Sequence, residues 1–153
     1  MSFLEHKIPP PVIGALTAAA MWGAAGLGPQ FTLAPAVRMT AVAVLVVAAL
    51  AFDLLGLLAF RGSRTTVNPL APQRASALVT GGVYRVTRNP MYLGMALLLL
   101  AWGVYLSAWL AFAGPLLFVL YITRFQILPE ERALQENFGE AFTRYAAQVR
   151  RWL

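Results

Sequence analysis

The sequence predicts an all-α integral membrane protein: four transmembrane helices, a polar central loop and a C-terminal amphipathic helix, in one domain of 153 residues. Three observations lead there. Hydrophobic residues make up 59% and charged residues 12%, half the charged share of about 25% that keeps a soluble domain solvated. Several apolar runs reach bilayer-spanning length. The charges are not scattered but gathered between and beyond those runs.

The first span is read at residues 12–27, ended by Gly28-Pro29 and rich in Gly and Ala, whose small side chains allow close helix contact in lipid. The same run shows no obvious signal-peptide cleavage site and is expected to remain as a helix. The second span, residues 37–60, holds one acid, Asp53. An acid in a membrane span is a functional candidate by default. Asp53 also lies about two turns before Arg61, so either Arg61 or Arg64 can serve it as a structural partner.

Residues 61–89 carry Arg61, Arg64, Arg74, Arg85 and Arg88, with Pro69, Pro72 and the Gly81-Gly82 pair. The segment is too polar to cross a bilayer, and its prolines disfavour one continuous helix. Within it, Thr65 to Pro69 offers hydroxyl and amide groups, and Asn68 is placed at a substrate entrance.

From Met91 to Leu128, 38 residues contain one charge, Arg124. One helix of that length would run about 57 Å, nearly twice a hydrocarbon core of about 30 Å. The run must fold back, giving spans at 91–106 and 108–128 with a turn near Tyr105-Leu106-Ser107-Ala108. Trp102, Tyr105 and Trp109 cluster there like an interfacial aromatic belt. Gly114-Pro115 is the competing turn, read instead as a kink. Beyond Pro129, Leu134, Phe138, Phe142, Tyr145, Val149 and Trp152 recur at spacings of three or four, one helical stripe interrupted at Gly139. Such a helix either lies on the membrane or folds back over the central loop.

Eleven basic residues (Lys7, five arginines in the central segment and five from position 124 onward) fall on one side of this topology, and only Arg38 falls on the other. The positive-inside rule then sets both termini and the central loop in the cytoplasm. Orientation accounts for the net charge of +6 better than nucleic-acid binding does. There is no cysteine, and His6 is the single histidine. Thiol nucleophiles, disulfides, His-based triads and His- or Cys-rich metal centres are thereby excluded.

Two clusters carry chemistry. At the mouth of the third span, Pro90 suits the first turn of a helix and Asn89 can cap it. Free helix N–H groups beside Arg85 and Arg88 would then make an anion-binding corner. At the far end of the apolar run stand Arg124, Glu130 and Glu131. Arg124 and Glu131 are seven apart, so a helix continuing past Pro129 would stack them on one face; a snorkelling Arg124 is the simpler alternative.

The pattern Gly82-Val83-Tyr84-x-x-x-Arg88-Asn89-Pro90-x-Tyr92-x-Gly94, then an apolar hairpin, then Glu130-Glu131-x-x-Leu134-x-x-x-Phe138-Gly139-x-x-Phe142-x-x-Tyr145-x-x-x-Val149 resembles the isoprenylcysteine carboxyl methyltransferase and phospholipid methyltransferase superfamily. The likeness covers about residues 80–153. The family pattern often has Arg-His-Pro where this chain has Arg88-Asn89-Pro90, and Tyr in place of Phe142. The resemblance implies methyl transfer from S-adenosylmethionine to a lipophilic acceptor: a prenylcysteine-like carboxylate, a lipid amine or another small hydrophobic molecule. It implies a cofactor site made by Gly82, Val83, Tyr84, Arg88, Asn89, Pro90, Tyr92, Gly94, Glu130 and Glu131, closed by the central loop and the C-terminal helix. Beside the resemblance, the residues themselves assign catalysis to Arg124, whose guanidinium can orient an anionic or carbonyl-bearing acceptor, with Glu131; Asp53 and Asn68 are placed toward the acceptor, and a bacterial inner membrane is expected. The expected partners are the lipophilic substrate and membrane lipids, with no metal and no nucleic acid. The alternative is a non-enzymatic membrane subunit, or a transporter using Asp53.

Overall fold

The computed structural model describes Glu5, residues 7–62 and residues 77–153. His6, Arg64, Arg74, the Thr65–Pro69 stretch with Asn68, and Pro72 lie outside the described residues. Within them the chain is helical throughout, with no strand. Helix α1 (Pro10–Ala24) is followed by α2 (Pro35–Gly62), a 3-10 turn (Gly82–Arg85) and α3 (Pro90–Leu106). A second 3-10 turn (Trp109–Phe112), α4 (Ala113–Ile122) and a π-helical stretch (Thr123–Ile127) lead into α5 (Leu128–Phe138) and α6 (Glu140–Gln148).

Among the described residues, two continuous helical runs are long and apolar enough to cross a membrane: Pro35–Arg61 and Trp109–Phe138. α3 is shorter, at 17 residues, and α1 has 15. At 1.5 Å per residue these reach about 26 and 23 Å, against a hydrocarbon core of about 30 Å. The outer surface fits lipid. Val44, Val47, Leu54 and Leu58 of α2, and Leu116, Leu117 and Leu120 of α4, are exposed apolar side chains, far more than water tolerates in one patch.

α1, α3 and α4 pack together around Ile13, Met21, Leu99, Phe118 and Ile122, and α2 lies along α3. Small residues make these approaches possible. A Cβ on Gly114 would collide with Met21, and one on Gly94 with the Asp53 carboxyl and the Ala49 carbonyl oxygen.

The apolar run turns back where expected. Ser107, the residue after α3, takes a left-handed conformation (φ 54°) and its N–H bonds the Gly103 and Val104 carbonyls, ending the helix. Gly114-Pro115, the predicted kink, instead sits in the first turn of α4. Trp102 and Tyr105 stack at 5.3 Å beside the turn.

The tail does not lie flat as one stripe. Gly139, at φ +50°, breaks it into α5 and α6. Phe142, Tyr145 and Val149 pack with Val79 and Tyr84 of the segment before α3. Trp152 leaves that group and packs toward the bundle core, its indole N–H donating to Thr123 Oγ1 at 3.1 Å.

Candidate functional site

The two ends of the apolar hairpin meet at one carboxylate. Glu131, in the first turn of α5, accepts from Arg88 Nη2 at 2.7 Å. It also accepts a forked pair from Arg151, Nε to Oε1 at 2.9 Å and Nη2 to Oε2 at 2.7 Å. The side chains of Arg88 and Glu131 are only 12% and 17% exposed, so these charge-assisted bonds are little screened. Burial alone would raise the Glu131 carboxyl. The Arg151 hydrogen bonds and the Arg88 charge outweigh it and hold the group below its ordinary range.

Arg88 reaches further. Its Nη1 donates to the carbonyls of Ala146 (2.8 Å) and Val149 (3.2 Å) where α6 ends. Its backbone N–H donates to Arg150 O at 3.0 Å. The residues before α3 are thus tied to the end of the chain. Tyr145 adds a buried bond from its hydroxyl to Tyr84 O at 2.8 Å. The expected anion corner is built differently: Arg85 is exposed, while Arg88 spends both terminal nitrogens on Glu131 and carbonyls. Asn89 does not cap α3 with its side chain. Its amide donates to Arg151 O at 2.9 Å, and its own N–H goes to Thr87 Oγ1 at 3.2 Å. The first turn of α3 is left without a side-chain cap.

Glu130 occupies a second, drier position. It accepts from the Tyr92 hydroxyl at 2.5 Å, linking α5 to the first turn of α3. From Pro129 onward the chain has left the apolar run. Burial pushes the Glu130 carboxyl up to about 8; the Tyr92 bond opposes that shift and neighbouring Glu131 adds to it. Two adjacent acids therefore differ in character, one charge-balanced by two guanidiniums and one held by a phenol in an apolar setting.

Arg124 is not brought to this cluster. It is 54% exposed and pairs with Glu5 at 3.5 Å, while Arg132 holds the same Glu5 at 2.8 Å. The reason is the π-helical stretch, in which Leu128 N–H bonds Thr123 O five residues back. One extra residue in that turn spoils the two-turn register between 124 and 131. Gly82 has φ +60° in the 3-10 turn, where Val83 is half-buried and Tyr84 buried. Pro90 is buried at the start of α3, packed on Gly56 of α2. Gly94 faces α2, beneath Asp53. Asp53 has its Oδ1 buried without a hydrogen-bond partner, and Arg61 is exposed rather than paired with it.

Sequence reasoning missed Arg151 and Thr87 as members of this assembly. Arg150-Arg151 read as topology charge, and nothing local marks one of the two as a partner of an acid 20 residues earlier.

The profile of the phospholipid methyltransferase family matches residues 37–141. An uncharacterized protein of Haemophilus influenzae is 48% identical over 63 residues, which are 41% of this chain and all of that protein. No solved structure matches the chain.

Proposed function

The chain belongs to the phospholipid methyltransferase family, and from that premise we propose that it is a membrane enzyme transferring a methyl group from S-adenosylmethionine to a lipophilic acceptor at the cytoplasmic face. One observation supports this most: Glu131 joins Arg88 and Arg151, while its neighbour Glu130 is half-buried against Tyr92. Both motifs are drawn into one place, and they supply two acids of different electrostatic character.

The donor set suits the cofactor. A half-buried carboxylate suits the ammonium and sulfonium groups. The uncapped first turn of α3 offers N–H groups to a carboxylate. Tyr84 and Tyr92 provide flat apolar surface. When bound, the cofactor supplies an electrophilic methyl group, and transfer by in-line displacement depends mostly on orientation and exclusion of water. In this proposal Glu130 takes on its negative charge as the cationic groups of the cofactor come beside it, and Tyr92 fixes its rotamer. Arg88, Glu131 and Arg151 lock the chain end over the mouth of α3 and keep water out. The acceptor, whether a carboxylate, an amine or another small hydrophobic group, enters sideways from the bilayer, with Asp53 on the lipid-facing helix α2 and Asn68 toward its path. Arg124, if it meets the acceptor, does so from outside the cluster.

The test uses purified protein in detergent or lipid discs. Calorimetry with S-adenosylhomocysteine should show saturable binding, and methyl-labelled cofactor with a membrane lipid extract should label an organic-soluble product. Absence of both would overturn the proposal.

The same proposal places one domain in the inner membrane, crossing four times, with both termini in the cytoplasm. Reporter fusions at positions 7, 75 and 153 should report cytoplasm, and a fusion at 107 the opposite side. A cytoplasmic signal at 107 would refute the four-span arrangement.

A further inference from the structure

Gln126 is 1% exposed, at the centre of the protein rather than on its surface. Its Nε2 donates to the Ile8 carbonyl at 2.9 Å. That bond fixes which way the carboxamide points, because the oxygen cannot donate to a carbonyl. The other end, Oε1, is buried without a hydrogen-bond partner. A buried acceptor of this kind in a native protein calls for a specific explanation.

Its position supplies one. Gln126 lies in the π-helical stretch Thr123–Ile127, and such interruptions of α-helices occur frequently at functional sites. It stands four residues before Glu130 in the sequence, and Glu130 is the acid that takes the Tyr92 hydroxyl at 2.5 Å. Glu131 is already committed, its charge balanced by Arg88 and Arg151 through three hydrogen bonds. Arg124, next but one in sequence, is turned outward to Glu5. Within four residues the run thus holds a carboxyl group bonded only by a phenol and a buried amide oxygen with no hydrogen-bond partner. Together they suit a cation that also carries N–H donors. A sulfonium has none and an aromatic amine is neutral; a primary ammonium has both.

We infer that Gln126 is a ligand-binding residue, its Oε1 sharing with Glu130 the primary ammonium of the amino-acid end of the methyl donor. The inference rests on the methyltransferase assignment above and adds a residue to it. It also assigns the neighbouring acids different tasks, Glu130 to the ligand and Glu131 to the two arginines.

The experiment compares S-adenosylhomocysteine with its deaminated analogue, which lacks only the ammonium, by calorimetry on the full-length protein in detergent. For the wild type the parent compound should bind more tightly than the analogue. Gln126→Met, of similar length without the oxygen, should shrink that ratio about tenfold, mostly by weakening the parent compound. Gln126→Glu, which places a carboxylate at the same point, should enlarge the ratio. The two variants move it in opposite directions, so either one alone tests the inference if the other fails to fold. An unchanged ratio in a folded variant would overturn it and leave Gln126 as a tether for Ile8. If the wild type binds neither compound, the methyltransferase assignment fails first, and the two failures are distinguishable.

Discussion

Glu131→Ala is expected to abolish measurable S-adenosylhomocysteine binding and to lower the melting temperature in detergent by more than any other single change among the charged residues. The carboxylate holds two guanidiniums at 2.7 Å. Arg88 is largely buried, and its Nε already lacks a partner. Deleting the acid leaves that cation with two carbonyls and no counter-charge. Breaking a buried pair by removing one partner costs about 3–5 kcal/mol; because this cluster is partly exposed, the low end, about 3 kcal/mol, is the appropriate expectation. That corresponds to more than a hundredfold in the equilibrium that docks the chain end, at about 1.4 kcal/mol per tenfold. Glu131→Gln keeps the shape but not the charge and should fall between. Glu136→Ala, at an exposed acid one turn further along α5, should stay within about 0.5 kcal/mol of wild type. The pH dependence has a definite sign. The folded Glu131 carboxyl lies below its ordinary value, so its contribution is complete at neutral pH. It is lost only as the pH falls through that depressed value. Wild-type binding and melting in Glu131→Ala would refute the latch.

The parts of this arrangement that were readable in the sequence are those governed by length and hydropathy. A 38-residue apolar run is too long to cross a membrane once, so a return near Ser107 followed from arithmetic, while the placing of Arg88 and Glu131 in one site was what the resemblance implied. What was not readable depends on phase and on long-range choice. A single π-turn between Thr123 and Ile127 decides whether Arg124 points to Glu131 or to Glu5, and no propensity rule predicts one extra residue per turn. Asn89 has the chemistry of a helix cap, yet its amide is taken by the Arg151 carbonyl, a partner 62 residues away. Gln126 carried no pattern at all; only its burial and its one-sided hydrogen bonding set it apart. The family resemblance supplied the order of the motifs and the two acids. It did not supply Arg151, which lies after the last residue of the motif.

Gly94→Ala should destabilise the protein although alanine is the better helix former. In an unconstrained helix the exchange gains about 1 kcal/mol. Gly23 in α1, whose added Cβ would meet nothing within 4 Å, should show that gain or no change. At Gly94 the new Cβ would run into the Asp53 carboxyl and come within 2.9 Å of the Ala49 carbonyl oxygen. The carboxyl can turn aside, but the carbonyl belongs to the α2 backbone and cannot. α2 must therefore be pushed off α3, and overpacking of this kind costs about 1–3 kcal/mol. Gly94→Val, bulkier and β-branched, should exceed that range and leave little folded protein. Pairing Gly94→Ala with Asp53→Ala removes one collision and keeps the other, so it should recover only part of the loss. The consequence reaches the site because α3 begins at Pro90 and carries Tyr92 in its first turn. A shift of α3 away from α2 moves the Tyr92 hydroxyl relative to Glu130. Melting temperature and S-adenosylhomocysteine affinity should therefore fall together in Gly94→Ala. Lost affinity at an unchanged melting temperature would instead make Gly94 a point of contact with the cofactor, and the close packing of α2 on α3 would no longer be the reason a glycine stands there.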